Sequence, residues 1–150
     1  LMAYVHIGHD CFLGDRVIMA NNASVAGHVV VGDYANFGGY SGVPQFRSIG
    51  ENTHIAAMSL VTKDVPAFMT VAGNPASAVG LNLEGMRRRD FSADALAALK
   101  ESHKIVYRSG LNKNKALTQL AELRNKYSEV EKFARSIESS ESGIVRRRSH

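Results

Sequence analysis

Every sixth residue of this 150-residue chain, counted from the first, is apolar for eleven consecutive steps: Leu1, Ile7, Leu13, Met19, Val25, Val31, Phe37, Val43, Ile49, Ile55 and Val61. With 45% of the residues hydrophobic, such a run in any phase arises by chance roughly once in a thousand sequences. The following position repeats in step and is small at Gly8, Gly14, Ala20, Ala26, Gly32, Gly38, Gly50 and Ala56, with Met2, Pro44 and Thr62 as exceptions. A period of six is neither the 3.6 of a helix nor the alternation of a strand. It is the period of a hexapeptide solenoid, in which each hexad supplies a short strand and a turn, and its first residue points inward. Three hexads close a triangular coil, so the run makes about 3.7 coils. Glycine or asparagine is expected to ease the backbone at the turns. The fifth positions, Val5, Cys11, Val17, Ala23, Val29 and Ala35, are small or apolar, so Cys11 reads as a core residue rather than a reactive thiol.

The repeat ends near Pro66. Residues 67–90 read as a connector, with Ala72-Gly73-Asn74-Pro75 as a turn signal. Residues 91–140 read as a helical domain. Ser92 is a candidate N-cap, with Leu96, Leu99, His103 and Val106 at helical spacing until Gly110. Leu117, Leu120, Leu123 and Tyr127 mark a second helix, and the capping box Ser128 to Glu131 announces a third, with Val130, Phe133, Ala134 and Ile137 on one face. The tail, 141–150, loses its period and is expected to be frayed. Leu1 already fills a hexad's first position, without a starting methionine or a polar capping coil, so the sequence reads as a fragment whose missing coils are N-terminal.

Composition narrows the function classes. A single cysteine excludes an internal disulfide framework and zinc sites built from several thiolates. The absence of a long apolar run argues against a membrane span or signal peptide and for a cytoplasmic protein. The net charge of +4 is too small to argue for nucleic acid. It is unevenly divided: residues 1–66 carry three Lys/Arg and five Asp/Glu (net −2), leaving fifteen and nine (net +6) for residues 67–150. The run Arg87-Arg88-Arg89 is dense enough for an anion or acidic-protein site. Arg146-Arg147-Arg148, in the tail, carries less weight.

The best candidates for chemistry are the histidines of the repeat, His6, His9, His28 and His54, since imidazole can take a proton from a hydroxyl near neutral pH. His28 lies three hexads plus one residue beyond His9, and Gln45 one coil further less one residue, so His9, His28 and Gln45 are expected to form a ladder on one edge of the prism. Asp10 can fix the tautomer of His9, and Gly27 leaves a backbone N–H unobstructed for an oxyanion. Surface histidines on an inert solenoid and metal ligation by a histidine subset are the other readings of the same spacing.

At these residues the sequence resembles the acyl-carrier-protein-dependent UDP-N-acetylglucosamine O-acyltransferases. The resemblance is carried by His6-Ile-Gly-His9-Asp10-Cys11, Ala20-Asn21-Asn22-Ala23, Ala26-Gly27-His28, Gln45-Phe46, Asn82-Leu-Glu84-Gly85-Met-Arg87-Arg88-Arg89 and Tyr107-Arg108-Ser109-Gly110. It covers nearly the whole chain. It implies a mainly β fold with α, a left-handed parallel β-helix followed by a C-terminal α-helical domain, assembled as a homotrimer with sites between subunits. The implied reaction moves a 3-hydroxyacyl chain from the phosphopantetheine thioester of acyl carrier protein to the 3-hydroxyl of UDP-N-acetylglucosamine, the first step of lipid A biosynthesis. The resemblance implies no metal and no cofactor of the protein's own. His9, Asp10 and Gly27 would be catalytic. His6, His28 and Gln45 would contact substrate, Asn82, Glu84 and Arg88 would help hold the nucleotide sugar, and Arg87, Arg88 and Arg89 would meet the carrier protein. A side chain near Ala57 or Met58 would limit acyl length.

Pro44 and Pro75 depart from this pattern at positions where the family often carries histidine, which leaves a 3-amino acceptor open. Three rivals follow: the sister N-acyltransferase of the same pathway, a zinc-dependent hydratase on the same solenoid with His6, His9 and His28 as ligands, and a non-catalytic assembly module.

Overall fold

The computed structural model describes residues 1–148; Ser149 and His150, the last positions of the expected tail, lie outside the described residues. Nine two-residue strands stack in three parallel columns. Face A holds β1 (His6–Ile7), β4 (Ser24–Val25) and β7 (Gly42–Val43); face B holds β2 (Phe12–Leu13), β5 (Val30–Val31) and β8 (Ser48–Ile49); face C holds β3 (Ile18–Met19), β6 (Asn36–Phe37) and β9 (His54–Ile55). His6 registers with Ser24, and Ser24 with Gly42, so one coil is 18 residues, or three hexads. The solenoid is left-handed, an exception to the right-handed crossover rule. Its first-position residues from Met19 to Val61 are buried and stack into one apolar column.

Why the second position is small follows from the stacking. A Cβ on Gly8 would stand 2.6 Å from the carbonyl carbon of Ala26, and one on Gly32 2.5 Å from the Glu51 nitrogen, both backbone atoms of the next coil. The fourth position behaves differently from the expectation of glycine or asparagine. Tyr4, Asp10, Arg16, Asn22, His28, Tyr34, Tyr40, Phe46, Asn52 and Met58 all have φ between 53° and 64°, and only Asn22 and Asn52 fit the expected types. Left-handed backbone costs such residues about 1–2 kcal/mol each. The return is a hydrogen bond along the prism axis: the His28, Phe46 and Asn52 amides donate to the His9, Gly27 and Asp33 carbonyls of the coil below at 2.9, 3.1 and 2.8 Å.

The stretch expected as a connector is largely structured. β10 (Met69–Gly73) joins face C, with Thr70 beside His54, and β11 (Ala76–Leu81) folds back antiparallel on it. The periodicity hides this strand because its offset from β9 is 16 residues rather than 18. Four helices follow: α1 (Leu83–Arg88), α2 (Ala93–Arg108), α3 (Lys113–Lys126) and α4 (Ser128–Glu138). Ser92 caps α2 through the Ala95 amide, and Val130, Phe133, Ala134 and Ile137 of α4 are buried as their spacing requires. The capping box does not form. Tyr127, not Ser128, is the N-cap of α4 and makes no side-chain cap bond, and the Glu131 carboxylate is drawn to Arg124 at 2.7 and 3.2 Å.

Nor is the tail frayed through Arg148. Ile144 and Val145 are buried, and the tail is fastened at Asp64, a buried carboxylate that accepts bonds from the Ser140 hydroxyl (2.6 Å) and the Ser48 amide (2.8 Å). The Asp64 backbone bonds Gly143 and Val145, and the Tyr107 hydroxyl donates to the Val145 carbonyl at 3.0 Å. Burial pushes that phenol well above its usual pKa. No helix among the described residues is long and apolar enough to cross a membrane.

Candidate active site

The 18-residue coil turns sequence offsets into stacking along the edges. On the edge that follows face A, His9, Gly27 and Gln45 occupy successive third positions, and Asp10, His28 and Phe46 successive fourth positions. His9 Nδ1 lies 3.0 Å from Asp10 Oδ2, and His28 Nε2 lies 3.7 Å from the same oxygen. The first distance is a hydrogen bond; the second is ion-pair proximity. Hydrogen bonding to His9, with the nearby His28 adding to it, holds the Asp10 carboxyl below its ordinary pKa, against a smaller opposing effect of desolvation. Asp10 is therefore an acceptor, and in a neutral His9 ring this bond places the proton on Nδ1 and leaves the lone pair on Nε2.

That lone pair sits beside Gly27. A Cβ built on Gly27 would lie 2.9 Å from His9 Nε2, so any larger residue would fill the space the imidazole occupies. The neighbouring amides of Ala26 and His28 donate to the Val43 and His9 carbonyls. The Gly27 amide, at the third position, makes no hydrogen bond of this ladder among the described residues. His28 packs edge-on to His9, with centroids 5.0 Å apart, and lies flat on Phe46 at 4.7 Å and 11°. Phe46 thus orients His28, a role that no sequence feature assigned to it. His9 and Asp10 are 75% and 68% exposed in the single chain, so this wall of the site is open.

The remaining expected site residues lie elsewhere. His6 is exposed on face A rather than on the edge. Among the described residues, the three groups close enough to share a metal ion are His9, Asp10 and His28, with donor atoms within 4.8 Å, so Asp10 stands where the hydratase reading had His6. Asn82 caps α1 through the Gly85 amide and donates to the Asn52 carbonyl, tying α1 to the edge after face B. Glu84 and Arg88 form an exposed pair at 2.6 Å. Arg87 is exposed, but Arg89 turns back on the solenoid, its guanidinium 3.6 Å over the Tyr34 ring and 3.9 Å from Glu51. It is a structural tie here, not a free cation beside Arg87 and Arg88. Ala57 and Met58 sit on the edge after face C. The expected residues are thus dispersed over all three edges of the prism, and a single chain cannot gather them.

A family model described as UDP N-acetylglucosamine O-acyltransferase, domain 2, matches residues 64–145. Curated acyl-[acyl-carrier-protein]–UDP-N-acetylglucosamine O-acyltransferases of Ectopseudomonas mendocina and Thiobacillus denitrificans are 50% and 49% identical to the chain over 146 residues, covering 97% of it. The chain spans 57% of the length of each. Among solved structures, the UDP-N-acetylglucosamine O-acyltransferase of Moraxella catarrhalis superposes with a TM-score of 0.95 at 45% identity, over 97% of this chain and 57% of that one. The UDP-N-acetylglucosamine acyltransferase of Francisella novicida gives 0.93 at 37% identity, over 97% and 54%.

Proposed function

Since the chain belongs to the UDP N-acetylglucosamine O-acyltransferase family, we propose that the protein containing it moves a 3-hydroxyacyl group from acyl carrier protein to the 3-hydroxyl of UDP-N-acetylglucosamine, opening lipid A biosynthesis. The sugar hydroxyl is a poor nucleophile at neutral pH. His9 Nε2 takes its proton as the oxygen attacks the thioester carbon, while Asp10 holds the imidazole in the required tautomer and steadies its positive charge. Negative charge collects on the carbonyl oxygen, which the Gly27 amide meets. Collapse breaks the carbon–sulfur bond, and His9 returns the proton to the departing sulfur. The protein brings no cofactor; phosphopantetheine arrives with the donor.

The observation that carries this reading is an imidazole whose Nε2 lies beside a glycine one coil above, the amide of which makes no bond among the described residues. His28 and Gln45 line the same edge and contact the sugar nucleotide, with His6 at its margin. Asn82, Glu84 and Arg88 hold the nucleotide, Arg87 and Arg88 receive the acidic carrier protein, and Ala57 or Met58 bounds the acyl chain. The dispersal of these residues over three edges supports a homotrimer whose sites are shared between copies, and a cytoplasmic location is part of the same proposal. Exposed Tyr4, Tyr40, Phe46 and Met58 on the edges supply apolar surface for such contacts.

Transfer from a series of acyl carrier protein thioesters to UDP-N-acetylglucosamine tests the proposal, with the 3-amino sugar as competing acceptor. His9→Ala is expected to lower turnover by roughly 10²–10⁴, and retained turnover would reject the base. The His9, Asp10 and His28 cluster favours one second reading, a metal-bound water as the reactive group. Loss of turnover on chelation and its recovery with zinc would replace the base by a metal.

A further inference from the structure

The tail arginines form one wall of a cavity of about 570 Å³ above face A, a size in the range of small-molecule sites. Thr62 and Lys63 of the fourth coil, Asn74 and Ser77 of the β10–β11 hairpin, and Arg147 and Arg148 are among its lining residues. Its charged lining is entirely cationic among the described residues: Lys63, Arg146, Arg147 and Arg148. Two of these cations sit on anchored backbone or are bonded themselves. The tail is fixed to Asp64, the Ala78 amide donates to the Arg146 carbonyl at 2.7 Å, and Lys63 Nζ donates to the Ser142 carbonyl at 3.2 Å. An ammonium has three donors, so Lys63 retains capacity for a ligand.

Position links this cavity to the proposed chemistry. Lys63 is the third-position residue of its coil, so it continues the column His9, Gly27, Gln45 three coils above His9. At about 4.7–4.9 Å per coil, the two backbones are about 14 Å apart along the edge. Both substrates of the proposed reaction extend well beyond their reacting atoms, and both carry phosphate there. We propose that this cavity binds a phosphate group of a substrate whose reacting end lies at His9. The inference rests on the proposed transfer for the identity of that substrate, but not for the existence of the anion site. The diphosphate of a sugar nucleotide and the phosphodiester of a carrier arm share the chemistry, and experiment separates them.

Inorganic pyrophosphate is titrated calorimetrically into the protein and into its His9→Ala variant, a measurement that needs no turnover. Saturable binding is expected in both, weakening as ionic strength rises. Lys63→Gln and the double change Arg147→Gln with Arg148→Gln each weaken it at least roughly tenfold, the scale of one lost charge-assisted bond. Lys100→Gln, on the exposed face of α2, leaves it unchanged, and melting temperatures check that all variants fold. In the transfer assay, a raised KM for the carrier thioester alone assigns the phosphate to the carrier arm, and a raised KM for UDP-N-acetylglucosamine alone assigns it to the nucleotide. Absence of saturable pyrophosphate binding, or binding that both cavity variants leave intact, overturns the site. Failure of transfer with binding preserved counts against the proposed reaction only.

Discussion

Gly27→Ala separates the chemistry of the edge from its architecture. The new methyl carbon would stand 2.9, 3.0 and 3.3 Å from His9 Nε2, Cε1 and Cδ2, against about 3.5–4.0 Å for comfortable contact. Relieving it requires the ring to withdraw by about 0.7 Å. That withdrawal stretches the 3.0 Å bond to Asp10 towards the limit of hydrogen bonding and moves the base off line. A misplacement on the scale of 1 Å costs about 10² in rate, so kcat is expected to fall roughly a hundredfold, with KM little changed. Stability responds differently, because the three nearest atoms all belong to a side chain that is 75% exposed and free to swing aside. The change is expected to stay within about 0.5 kcal/mol, as for ordinary surface substitutions. Gly8→Ala is the internal contrast: there the Cβ meets main-chain atoms of Ala26 and Gly27, and overpacking of this kind costs about 1–3 kcal/mol. Steady-state transfer kinetics and thermal melts of the two variants decide the matter. Unchanged kcat in Gly27→Ala, or a fall in melting temperature matching that of Gly8→Ala, would refute the account.

Asp64→Ala removes the acceptor for the Ser48 amide and the Ser140 hydroxyl. It is expected to destabilise by about 3 kcal/mol and to expose the Val145 amide to hydrogen exchange. Phe37→Ala, at a fully buried first position, should cost about 3–5 kcal/mol in chemical denaturation. Burial, with the charges of Arg108 and Arg147 adding to it, lowers the pKa of His103, so the unfolded chain takes up a proton at a higher pH than the folded one. Stability is then complete above the unfolded value of about 6.5 and declines as pH falls below it. Melts between pH 7.5 and 5.5, about a unit either side of that value, should decline, and His103→Gln should flatten the decline; an identical slope in the variant would remove His103 as the cause.

The repeat itself was legible because the period is local and redundant. Each hexad independently states the same inward residue and the same small neighbour, and one translation of 18 residues then places His9 under Gly27 and Asp10 under His28 without further information. The turn conformation was misjudged from composition: the left-handed fourth positions hold Asp10, His28 and Phe46, since their amides gain inter-coil hydrogen bonds that outweigh a local preference for glycine. The capping box at Ser128 also failed: Tyr127 is the N-cap of α4, and the Glu131 carboxylate is drawn to Arg124.

What the amino-acid sequence determined by itself was therefore whatever repeats: the coil, its apolar column and the edge carrying His9, Asp10, Gly27, His28 and Gln45. What only the tertiary structure decided was the fate of segments that occur once. β10 extends face C out of phase, Arg89 turns inward onto Tyr34, and the tail is fastened to Asp64 so that its arginines line a cavity. Each of those outcomes depends on a partner 16 to 76 residues away in the chain, and such pairings leave no periodic trace because a single long-range contact is specified only by the geometry that brings its two ends together.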